Sequence, residues 1–400
     1  MSSGLSPRRL LQLTAFVSTL DRFAMPPMLI TIAHDLKVPL AQIVQAAGAY
    51  FLAYGLMQPV WGMVSDWLGL VRTMRLTLVL AAIMTTVAAL TATPLALGVA
   101  RGLAGACFAA AIPASLIYLG DTVPAWRRQR EITDLMVAAA LGTAVASVGA
   151  GVLAELLSWR VAFILTGLAA LALVATLRHL AEPPRTRVHE HLLAPLIQVV
   201  QSAPARLVLA LAFVEGAVLI GVLTLLPPAV EAAGAGAALG GAVTAVYGLA
   251  VLGFARVVGA LSLRLHTSRL IALGACSAFA ACSLAALSRS PAVAVVVAVL
   301  LGLAWAAMHS SLQTWATEVL PAARATVVSF FAGSLFVGSA VSALAIAGPA
   351  EAERYGEVFT WAAALMIPLG LLATWGRATW RRPEEEPHDL PGTSPDWRPI

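Results

Sequence analysis

A few ionisable side chains stand in stretches otherwise suited to hydrocarbon, and these are the residues whose types could do chemistry. Asp21 and Arg22 lie side by side in "STLDRFAMPPML" (18–29), Arg101 in "VARGLAG" (99–105), Glu215 in "AFVEGAV" (212–218) and His309 in "WAAMHSSLQ" (305–313). A charge at the centre of a bilayer costs about 2.5–3.5 kcal/mol on insertion scales, and groups kept there commonly mark ion or substrate pathways. A lone carboxylate in a low dielectric favours its protonated form, whereas a nearby guanidinium favours the ionised one. That chemistry is proton carriage, with Asp21 and Glu215 as the protonation sites and Arg101 biasing Asp21. Trp305, His309 and Gln313 recur every four residues and make one polar–aromatic stripe; with Arg22 they are the expected substrate contacts. The plainer readings are a packing histidine at His309, an Arg22 that satisfies a neighbour, and a packing role for Arg256 on a later span.

These side chains need elements that hold them in a membrane. The chain has 400 residues, 60% hydrophobic and only 11% charged. A soluble domain carries about 25% charged residues, so this chain cannot cover a water-facing surface. Spanning helices need about 20 mostly apolar residues. Twelve candidates stand near 10–32, 40–65, 76–92, 95–120, 135–154, 161–177, 207–230, 237–262, 270–288, 292–317, 326–348 and 358–376. With both termini cytoplasmic, 17 basic residues fall in inner loops and four (Lys37, Arg160, Arg289 and Arg354) outside. The positive-inside rule then predicts a multi-pass protein of the cytoplasmic (inner) membrane, whose basic loops face anionic lipid rather than nucleic acid. The first span is too long for a signal peptide and is expected to be retained. Cys107, Cys276 and Cys282 lie inside spans and imply no disulfide framework.

Residues 179–204 form a polar linker that divides the spans six and six, as halves 8–178 and 205–378; the charged, proline-rich tail 379–400 reads as disordered. A gapless shift of 197 residues places Tyr50 on Tyr247, Gly62 on Gly259, Ser65 on Ser262, Arg72 on Arg269, Gly105 on Gly302, Pro124 on Pro321 and Arg127 on Arg324, with Asp121 on Glu318. Alanine and leucine coincidences carry no weight in such a chain; tyrosines, prolines and arginines at one offset do. The expected fold is all-α, with twelve transmembrane helices in two parallel six-helix pseudo-repeats.

The loop "GMVSDWLGLVRTMR" (62–75) resembles, through Gly62, Asp66 and Gly69, the motif between helices 2 and 3 of the major facilitator superfamily. Trp67, Leu70 and Val71 stand where that family carries basic residues, and Arg72 and Arg75 come late. "RGLAG" (101–105) is similar to its helix-4 motif, "DTVPAWR" and "EVLPAAR" to its paired loops after helices 4 and 10, and "SWRVAF" (158–163) to its start of helix 6. The resemblance spans residues 8–378. It implies that helices 1, 4, 7 and 10, carrying Asp21, Arg101, Glu215 and His309, line a central cavity. It also implies gating contacts at Gly62, Asp66, Gly69, Arg72, Asp121, Arg127, Glu318 and Arg324. "GTAVASVGAG" (142–151) resembles the helix-5 motif of the drug–proton antiporter branch, with Ala146–Ser147 in place of Gly-Pro.

No phosphate-binding loop, metal cluster or cofactor motif stands in the sequence, so neither an enzyme nor an ATP-driven pump is expected. The expectation is a monomeric secondary transporter of a small molecule, working by alternating access. Proton-coupled efflux is the first reading. Proton-coupled uptake of an organic anion is the second, and a non-transporting receptor or assembly factor on the same fold is the rival of another class.

Overall fold

The computed structural model describes residues 6–183 and 193–381. Twelve helical segments cross the molecule in alternating directions. In the first half these are α1 (Pro7–Ala24 and Leu29–Leu36), α2 (Leu40–Leu68), α3 (Leu70–Leu90), α4 (Pro94–Phe108 and Ala111–Thr122), α5 (Ala125–Leu156) and α6 (Trp159–Leu177). In the second they are α7 (Ala203–Glu215 and Gly221–Glu231), α8 (Ala237–Ser262), α9 (Thr267–Leu287), α10 (Pro291–Ala304 and Ser310–Glu318), α11 (Arg324–Glu351) and α12 (Tyr355–Thr379). A short helix, Leu193–Gln201, precedes α7. The tail expected at 379–400 and part of the 179–204 linker lie outside the described residues.

Among the described residues, eleven helices are long and apolar enough to span a membrane. The twelfth, α1, falls short on composition because Arg8, Arg9, Asp21 and Arg22 all stand in Pro7–Ala24. Pro26 and Pro27 then turn the chain through a 3-10 segment, Pro26–Met28. Proline removes a backbone donor and clashes with the preceding turn, which is why α1 breaks there. The protein is a multi-pass membrane protein, all-helical, in two pseudo-repeated halves.

The repeat is visible in the element boundaries. Helices α2, α3 and α4 begin at residues 40, 70 and 94, and their counterparts α8, α9 and α10 begin at 237, 267 and 291. Helices α6 and α12 begin at 159 and 355, one residue short of the same spacing. One departure from α geometry repeats as well. Helix α4 is interrupted at residues 109–110, and at the matching depth α10 makes a π turn, Trp305–His309. Such π turns inside α-helices are frequent at functional sites.

The halves meet where α2 packs on α11 and α5 on α8. Small residues allow this. A side chain added at Gly48 would strike Ala343 at 2.8 Å, and one at Gly55 the carbonyl of Gly333 at 2.7 Å. Gly151 and Gly241 press in the same way against Ala237 and Ser147. The contacts of Gly48, Gly151 and Gly241 lie toward the far end, opposite the ends of α1 and α12 that begin and close the described bundle, and that of Gly55 lies at mid-bundle. Toward the other end, Gly62 on α2 and Gly253 and Gly259 on α8 have open space around them. The halves are therefore joined closely from the middle of the bundle to the far end.

Candidate functional site

Asp21 and Arg101 form the first polar centre. Both are fully buried. The Arg101 Nη1 donates to Asp21 Oδ1 at 2.9 Å, and its Nη2 to the Asp21 carbonyl at 3.0 Å. Thr85 on α3 donates its hydroxyl to the same Oδ1 at 3.0 Å. The guanidinium lies between the rings of Tyr50 and Phe163, 4.5 and 4.6 Å from their centroids. Asp21 Oδ2 is buried with no partner in the structure. The pairing expected between Asp21 and Arg101 is present, but it faces α3 and α6 inside the first half rather than an open cavity. The reason is helical phase: Arg22, about 100° round the helix from Asp21, takes the face toward the second half.

Arg22 meets that interface. It donates to the Tyr54 hydroxyl of α2, and its guanidinium lies 4.3 Å from the Tyr54 ring and 5.0 Å from that of Phe336 on α11. Among the described residues no carboxylate lies within ion-pair distance of it.

The second polar centre is in the other half. Glu215, fully buried, places Oε2 at 3.2 Å from His309 Nδ1, while Oε1 has no partner in the structure. The sequence reading left Glu215 alone on its helix; its partner comes from α10 across the bundle. The π turn sets the His309 ring against Trp305, with centroids 3.9 Å apart and planes at 21°, and Phe331 of α11 at 5.7 Å. Trp305 packs against the cores of both halves. Gln313, also expected in this stripe, is exposed and outside the stack. The π turn inserts an extra residue and breaks the every-four register.

The residues expected to gate sit at the near end, and their described contacts stay within one half. Glu182 accepts from the backbone N–H of Val71 at 3.2 Å and of Arg72 at 3.3 Å, capping α3. Gly69, at φ 104°, occupies the left-handed region and leaves room for that carboxylate. Arg127 lies 3.9 Å from Glu131, and Arg377 pairs with Glu318 at 2.8 Å. Asp121 and Arg324 are exposed, Gly62 is open, and the side chain of Asp66 lies outside those described. Sequence reading missed Thr85, Tyr50, Tyr54, Phe163, Phe331, Phe336 and Glu182. The spacing of Tyr50 and Tyr54 on one face of α2 was a usable signal; the others are a threonine, phenylalanines and a linker acid with no distinguishing pattern.

A family model described as Major Facilitator Superfamily matches residues 11–343. A hexuronate transporter of Escherichia coli (strain K12) is 34% identical over 137 residues, which is 34% of this chain and 32% of that protein. The chain thus matches about a third of the length of that curated relative. Among solved structures, a nucleoside transporter superposes with a TM-score of 0.77 at 15% identity, covering 92% of this chain and 99% of that one. A bacterial homologue of the human lysosomal transporter Spinster, in an inward-facing and unoccupied conformation, gives 0.72 at 19% identity, with 94% and 98% covered.

Proposed function

The chain belongs to the Major Facilitator Superfamily, and we propose that it moves a small organic anion across the membrane together with protons, by alternating access. One observation carries this reading: Arg22, a buried-face cation without an acidic partner among the described residues, stands where the two halves meet. A guanidinium presents a planar fork of donors suited to a carboxylate, and Arg22 has its Nε unpartnered in the structure. The local likeness to a hexuronate transporter supports the same substrate class. Aromatic faces at Tyr54, Phe336 and Trp305 supply the apolar walls such a site uses.

In this reading Asp21 and the Glu215–His309 pair are the proton sites, and the near end is cytoplasmic. Asp21 and Arg22 are neighbours on one helix. Neutralising Asp21 weakens the hold of Arg101 on α1, and any shift of that turn moves Arg22 with it. Protonation and anion binding are thereby coupled through the backbone rather than through direct contact. The gating residues Gly62, Asp66, Gly69, Arg72, Asp121, Arg127, Glu318 and Arg324 then close the near end in the opposite state. Efflux, the first reading of the sequence, gives way to uptake here because the free cation at the interface favours an anion, and an anion moving with a proton carries no net charge.

The test is transport in reconstituted vesicles with glucuronate, a hexuronate, as probe. Accumulation driven by an inward proton gradient, lost in Arg22→Gln, is the expected result. Gradient-driven extrusion would assign antiport instead. Transport of cationic or neutral compounds alone, unaffected by Arg22→Gln, would remove the anion reading.

A further inference from the structure

The far end of the molecule is held by two contacts that are copies of each other. Helix α2 begins at Leu40 behind Pro39, and α8 begins at Ala237 behind Gly236; neither preceding residue offers a side chain to cap the helix. A helix start leaves backbone N–H groups without acceptors, and a Ser, Thr, Asp or Asn at the cap position ordinarily satisfies one. Here the acceptor comes from the opposite half. Glu351, the last residue of α11, accepts from the Ala41 N–H at 3.1 Å. Glu155, next to last in α5, accepts from the Ala238 N–H at 2.9 Å. Ala41 and Ala238 are related by the 197-residue repeat. Glu155 and Glu351 are related by 196, the same spacing that links the starts of α6 and α12.

We infer that Glu155 and Glu351 are a matched pair of gate residues that hold the far end shut by capping, in trans, the starts of α2 and α8, whose preceding residues offer no cap. A carboxylate at a helix N-terminus gains from the helix dipole as well as from the hydrogen bond. Both gains exist only while the halves touch at this end, since α2 and α11 belong to different halves, as do α5 and α8. Opening the far end must break both. Gly236 fits this design: an added Cβ would stand 2.6 Å from Glu155 Oε2, so a larger residue there displaces the carboxylate. The inference rests on alternating access but not on the identity of the substrate or on proton coupling.

The experiment measures the closed–open equilibrium without substrate, so that its failure is separate from failure of the anion reading. Spin labels go at Ala92→Cys and Arg289→Cys, the repeat-related far-end loops of the two halves, in a chain whose Cys107, Cys276 and Cys282 are replaced by alanine. Glu155→Ala or Glu351→Ala should each raise the population with a longer far-end distance about threefold, and the pair about tenfold, because distant sites act additively. Gly236→Ser offers a cap in cis and should also lengthen the distance with both carboxylates intact, which guards against a mere folding defect. Glu155→Gln, which keeps an acceptor, should restore part of the closed population lost in Glu155→Ala. An unchanged distance distribution in the double variant, or a full effect from one glutamate and none from the other, would overturn the inference.

Discussion

The two halves place a carboxylate from their first helix against a group on their fourth, but with different partners. In the first half Asp21 meets Arg101; in the second Glu215 meets His309. Arginine keeps its charge at any physiological pH, whereas imidazole gains and loses a proton in that range. Asp21 is thus held by a permanent cation between two aromatic faces, and Glu215 by an imidazole stacked on Trp305. Beneath this difference the frame is shared. Ser18, the repeat partner of Glu215, donates at 3.4 Å to the Phe108 carbonyl where α4 is interrupted, as Glu215 meets the π turn of α10. One architecture therefore carries a carboxylate–guanidinium pair on one side, the fixed pair, and a carboxylate–imidazole pair on the other.

The largest expected effect breaks the fixed pair. Removing one partner of a buried salt bridge leaves an uncompensated charge and costs about 3–5 kcal/mol. Asp21→Asn should therefore lower thermal stability in detergent and abolish both gradient-driven transport and counterflow. Asp21→Asn combined with Arg101→Gln should recover most of the stability but none of the coupling. A double variant no more stable than Asp21→Asn would contradict the view that the loss comes from an unpaired Arg101.

Next in size is the carboxylate–imidazole pair. Glu215→Gln keeps shape and can still bond His309, so stability should change by less than about 1 kcal/mol. Gradient-driven accumulation should be lost while counterflow, which needs no net proton movement, persists. Should this variant still concentrate substrate with an unchanged pH dependence, the second half carries no proton and the comparison fails on that side.

How much of this was legible in the sequence follows from what kind of signal each feature leaves. The spans, the repeat and the family were readable because apolar length, a constant 197-residue offset and loop motifs survive in one dimension. The Asp21–Arg101 pair was readable because charges in hydrocarbon must find partners. The direction it faces was not, since that depends on which side of α1 the neighbouring helices pack. Glu215 looked solitary because its partner stands 94 positions away on another helix, and Gln313 looked aligned with His309 because a π turn leaves no mark in residue types. The near-end contacts hid for another reason. Glu182, in a segment read as linker, caps α3 through backbone donors that any sequence would possess.

The smallest effect sharpens the fixed pair without destroying it. Thr85 contributes one hydrogen bond, at 3.0 Å, to the Asp21 oxygen that also receives Arg101. Thr85→Val keeps the volume and removes the donor. A hydrogen bond to a charged group is worth about 1.5–3 kcal/mol, but Arg101 remains, so the expected loss lies at the lower edge, about tenfold or less in transport rate. Substrate affinity in counterflow should stay nearly unchanged. The same change in the second half has no counterpart: the repeat places Cys282 opposite Thr85, and among the described residues the partner of Glu215 is His309. A Thr85→Val protein that transports at an unchanged rate would mean that Thr85 only packs. The distinction drawn between the two pairs would then rest on Arg101 alone.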